Sequence, residues 1–138
     1  MKILNSGLKI FFWIILIISF DIKSDISVKD LDLKEVFKSG RSLMSLDNGL
    51  HYLEEELDIQ NVLFIGVHGS DSEGYEWIYP LITINDNQNL MSFFRYNDNL
   101  CPNRAYANLS NEINRLLDQN KNIEQVVLMG HSLSLIHI

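Results

Sequence analysis

Near the end of the 138-residue chain, Val126-Val127-Leu128-Met129 runs into Gly130-His131-Ser132. An apolar strand closing on Gly-x-Ser is the opening of a nucleophile elbow, Gly-x-Ser-x-Gly, in which a sharp strand-to-helix turn lifts a serine hydroxyl clear of the backbone. The chemistry is attack of that hydroxyl on an acyl carbon. A serine is a weak nucleophile at neutral pH, so a base must take its proton. Position 134 is Ser where the pattern has Gly. Leu133 to Ile138 also spell one reading frame of the transposon end used in sequencing-library adapters (CTG TCT CTT ATA CAC ATC). The expectation is therefore that the native sequence leaves the printed one after Ser132 or Leu133.

A second stretch with chemical potential lies upstream. Asn61 to Val67 is a continuous apolar run that ends at His68-Gly69-Ser70, followed by Asp71, Glu73 and Glu76. The carboxylates match no calcium-loop spacing and read as solvated loop residues. Cys101 is the single cysteine, and no Cys/His spacing suggests zinc. It reads either as one half of a disulfide with a partner further along or as a buried free thiol. No metal and no cofactor is expected.

The elements that position these residues follow from apolar patterning. Asn61–Val67, Leu90–Tyr96 and Gln125–Met129 read as three strands, the first buried on both faces. Tyr75–Thr83 reads as a short helix limited by Pro80. Arg104–Asn120 reads as a longer one, with Asn103 as N-cap. The alternation implies an α/β fold with a parallel sheet and flanking helices, cut off after its third strand. Leu43, Leu46, Leu50, Leu53 and Leu57 fall on one helical stripe, interrupted by the turn pair Asn48-Gly49. Either one helix tolerates that glycine or the helix begins after Asn48. Trp77, with Tyr75 and Tyr79, either lines an acyl pocket or packs the first helix on the sheet. Arg95 and Asp98 either pair or stand exposed.

Lys2 and Lys9 precede the apolar run Ile10–Ile18, which is shorter than the roughly 20 residues a bilayer span needs. Residues 1–24 read as a signal peptide or an uncleaved signal anchor, so the protein is expected to be exported: periplasmic, secreted or held at a membrane through residues 10–20. Residues 25–58 read as a lead-in with an amphipathic helix, and 59–138 as an incomplete domain. Formal net charge is −7 and no Lys/Arg cluster occurs, so nucleic acid is excluded as a partner.

Taken together, the His68-Gly69 loop, the loop bearing Trp77, the strand ending Phe94-Arg95-Tyr96 and the strand ending Gly130-His131-Ser132 resemble the first half of an α/β-hydrolase of lipase or esterase type. The resemblance spans roughly residues 60 to 133. It implies Ser132 as nucleophile, and the backbone N–H groups of Ser70 and Leu133 as the oxyanion hole. His68, Gly69, Gly130 and His131 would support the motif. The acid and the histidine base follow the serine in such enzymes and would lie beyond residue 138. His51, His68, His131 and His137 are all poorly placed to serve, and the His68 ring is expected to hydrogen-bond locally. The resemblance implies a serine hydrolase that cleaves a small-molecule or lipid ester through an acyl-serine intermediate, the 138-residue piece itself being inactive. Three other readings stay open: a non-catalytic, membrane-tethered hydrolase-like binding module, an acyltransferase, and a coincidental Gly-His-Ser in some other parallel α/β fold.

Overall fold

The computed structural model describes residues 26–53, 61–85, 89–99 and 101–131. The signal segment, Leu57, and Ser132 to Ile138 lie outside them. The elements are α1 (Val36–Met44), β1 (Gly49–Tyr52), β2 (Val62–Val67), α2 (Tyr75–Ile84), β3 (Asn89–Arg95), α3 (Pro102–Gln119) and β4 (Gln125–Gly130), after a single 3-10 turn at Val28–Asp30. The strands form one sheet in the order β1-β3-β2-β4. β2 runs parallel to both β3 and β4, and β1 is antiparallel to β3. The fold is therefore α/β with a mixed rather than wholly parallel sheet.

Strand side chains alternate between two cores, as the pleat requires. Met91 and Phe93 meet Leu43 of α1 and Trp77, Ile78 and Leu81 of α2 on one face. Leu63, Ile65, Val67, Leu90 and Phe94 meet Leu109 and Leu116 of α3 on the other. Burial of strands on both faces explains why β2 and β3 are nearly continuous in apolar residues. Trp77 packs edge-on to Phe93, with ring centroids 5.9 Å apart. Its six-membered ring lies over Gly66, where an added Cβ would come within 3.1 Å of Cε3. Trp77 thus seats α2 on the sheet, whereas Tyr75 and Tyr79 are exposed on its outer side.

Four expectations need correction. The leucine stripe is not one helix. α1 ends at Met44, the chain turns at Gly49 (φ 145°), and β1 follows. Leu43 and Leu53 join the α2-side core while Leu50 packs against the α3-side core, so their helical spacing is a coincidence of two elements. Within residues 26–53, β1 pairs with β3, and the Val28 N–H donates to Leu53 O at 2.8 Å. α3 starts with Pro102 at its first turn and Cys101 as N-cap, one residue pair earlier than Asn103 would set it. Proline suits that place because its φ is already helical and it has no N–H to leave unpaired. Cys101 is exposed, which rules out the buried-thiol reading. Pro80 lies inside α2, and the helix continues to Ile84. No helix among the described residues is long and apolar enough to cross a membrane.

Candidate functional site

The chain leaves β2 through α2 to reach β3 on one side, then returns through α3 to β4 on the other. The place where connections diverge in an open α/β sheet is the crevice where ligands bind, outside the carboxyl ends of the strands. Among the described residues the connections that diverge are those leaving β3 and β2, through α3 on one face and α2 on the other; next in the sheet come β2 and β4, side by side. Their register pairs Val67 with Gly130, and the His131 N–H donates to Val67 O at 3.3 Å. The His68-Gly69-Ser70 loop and the Gly130-His131 end therefore leave the same sheet edge side by side. Ser132 and Leu133 come next in the chain and lie outside the described residues.

His68 is fully buried. Its Nδ1 is 2.8 Å from Gly69 O. Nε2 faces one acceptor, Tyr96 O at 3.0 Å, and two donors, the Tyr96 N–H at 3.1 Å and Arg95 Nη1 at 3.0 Å, so the neutral ring is assigned its proton on Nδ1 and accepts at Nε2. Burial is the largest influence on the ring and holds its pKa below the ordinary imidazole value, with Arg95 pressing the same way against the backbone hydrogen bonds. The ring stacks on Tyr96 at 4.2 Å, and Tyr96 Oη donates to His68 O at 3.0 Å. A neutral imidazole with both nitrogens engaged is a brace between the ends of β2 and β3, not a base.

That brace orients the neighbouring peptide. Gly69 C=O and Ser70 N–H belong to one trans unit and point in opposite directions. With the carbonyl turned to the His68 ring, the Ser70 N–H is turned away from it. It has no acceptor among the described residues, and Ser70 is exposed. One residue on, Asp71 adopts φ 53°, and its N–H donates to Asp98 Oδ2 at 2.8 Å. Asp98 thus ties the loop after β2 to the loop after β3.

Arg95 does not pair with Asp98. Its Nε donates to Met44 O at 3.1 Å, and Nη1 reaches Tyr96 O as well as His68. Arg95, Tyr96 and Asp98 are loop-holding residues that patterning alone passed over. The available signal was an arginine-tyrosine pair closing an apolar run just before an Asn-Asp-Asn turn. Ser72 accepts from the Gly74 N–H at 3.2 Å and donates to Glu76, so Glu76 helps cap the turn into α2. Among the described residues no group of His, Cys, Asp and Glu could hold a metal ion. No family model, curated protein or solved structure matches the chain.

Proposed function

We propose that the chain carries the nucleophile-bearing part of a serine acyl hydrolase of α/β-hydrolase type, with an ester as substrate. The observation that supports the reading is the pairing of Val67 with Gly130. It brings the loop whose Ser70 N–H has no acceptor among the described residues beside the strand that precedes Ser132 in the sequence. On this reading the Ser132 hydroxyl attacks the ester carbonyl and a base takes its proton. The carbonyl oxygen becomes an oxyanion held by the Ser70 and Leu133 N–H groups. The tetrahedral centre collapses, the base returns the proton to the departing alcohol, and water later releases the acid from Ser132. Two preorganised main-chain donors act where charge develops, and loss of one such donor costs about 10²–10³ in rate. None of the described histidines fills the role of base. The acid and histidine belong, in the chain order of such enzymes, after the serine.

The test uses protein expressed from the complete reading frame and a fluorophosphonate probe. The expected result is one covalent adduct, on Ser132, lost in Ser132→Ala. A folded protein that takes up no label on Ser132 overturns the reading.

A further inference from the structure

The turn after β2 is held at two consecutive peptide units. The Gly69–Ser70 unit is gripped at its carbonyl by the His68 ring at 2.8 Å. The Ser70–Asp71 unit is gripped at its N–H by Asp98 Oδ2, also at 2.8 Å. Each unit is rigid, and only the two soft dihedrals of Ser70 join one to the other. The direction of the Ser70 N–H therefore depends on both grips.

Asp98 reaches Asp71 because β2 and β3 run parallel and end together, with Val67 opposite Phe94. The chain leaving β3 is itself tied down. Tyr96 bonds His68 through its N–H and through its hydroxyl. The Asn99 N–H donates to Asn97 Oδ1 at 3.0 Å, a side-chain turn closed around Asp98. The carboxylate is thus offered by a fixed turn. On the receiving side, Asp71 is the one non-glycine with positive φ among the described residues, at 53°. That conformation is costly for a residue with a Cβ and persists where its surroundings hold it. A hydrogen bond to a carboxylate is charge-assisted and stronger than a neutral one, which suits it to that task.

We propose that Asp98 is a positioning residue of the oxyanion loop: through the Asp71 N–H it keeps Asp71 left-handed and so aims the Ser70 N–H. The inference rests on the proposed serine chemistry, in which that N–H receives the oxyanion. Asp98 itself moves no proton and touches no substrate.

Full-length protein is first labelled with the fluorophosphonate probe and then assayed with nitrophenyl acetate. Asp98→Ala is expected to lower kcat by about tenfold or more with KM little changed, within the roughly 10²–10³ that loss of a whole donor costs. Asp98→Asn keeps a side-chain oxygen for the Asp71 N–H and retains most of kcat. Glycine adopts positive φ without the cost of a Cβ, so Asp71→Gly added to Asp98→Ala recovers part of the lost rate. A parent protein labelled on Ser132 whose Asp98→Ala variant keeps its kcat overturns this proposal alone. So does an Asp98→Asn protein as slow as Asp98→Ala, or a double variant no faster than Asp98→Ala. A folded parent that takes no label on Ser132 overturns the proposed function, and this inference with it.

Discussion

The Nδ1–H of His68 donates to the carbonyl oxygen of Gly69 at 2.8 Å, and the N–H on the other side of that peptide unit is Ser70's. A side chain that performs no proton transfer therefore fixes the direction of a main-chain donor. His68→Gln keeps an amide near the Nε2 position but loses the grip on Gly69 O. His68→Asn keeps an N–H near the Nδ1 position. On the proposed function, His68→Gln lowers kcat for a simple aryl ester by about 10²-fold, because the oxyanion donor is misdirected. His68→Asn should lose less. Steady-state kinetics on both variants, with KM little changed, is the check. Equal activity of the two would separate the ring from the donor.

The same ring makes stability depend on pH. Unfolded, the imidazole takes up a proton near its ordinary value of 6.5; folded, burial requires a lower pH. Between those two values the unfolded chain binds more protons, so stability rises with pH. The His68 contribution is complete above 6.5, declines as pH falls from there to the folded pKa, and changes no further below it. Urea midpoints measured between pH 7.5 and 5 should fall more steeply in the parent protein than in His68→Gln.

Gly40 of α1 and Gly74 at the start of α2 touch through their backbones. A Cβ on Gly40 would meet Tyr75 N at 2.4 Å, and Gly74 holds φ 81°. Backbone cannot move aside as a side-chain tip can. Gly40→Ala is expected to destabilise by about 3 kcal/mol or more, and Gly66→Ala, which presses on the Trp77 and Phe93 rings, by about 1–3 kcal/mol. Denaturant unfolding of both variants orders the two costs.

Ser92 is fully buried in β3, and its hydroxyl has no hydrogen-bond partner among the described residues. Removing an unpaired buried hydroxyl removes a desolvation cost. Ser92→Ala should leave stability unchanged or raise it by about 1 kcal/mol. A clear loss of stability in urea titrations would mean that the hydroxyl is satisfied in solution.

β2 and β3 were legible in the sequence because strands covered by helices on both faces are written as unbroken apolar runs. β4 was legible from the same kind of run, although its residues are only half-buried or exposed among the described residues. α3 was legible because Leu109 and Leu116 recur on one face. β1 was not. Gly49-Leu50-His51-Tyr52 is short, sits on the outside of the sheet, and its Leu50 falls on an apparent leucine stripe. The edge shared by the His68 loop and the Gly130 end follows from strand order, which depends on how α2 and α3 choose opposite faces. The grips of Asp98 on Asp71 and of Arg95 on Met44 join residues 27 and 51 positions apart, beyond the reach of any local pattern.

The Arg95 contacts bear on how this protein can be shortened. One guanidinium fastens the last carbonyl of α1 to the imidazole that steers Ser70. Trimming the amino-terminal region back to the first long apolar strand would discard α1 and β1, expose one face of Phe93 and release Arg95. A version prepared that way would report a loosened oxyanion loop as though it were native, so the start point for recombinant work belongs ahead of Ile26.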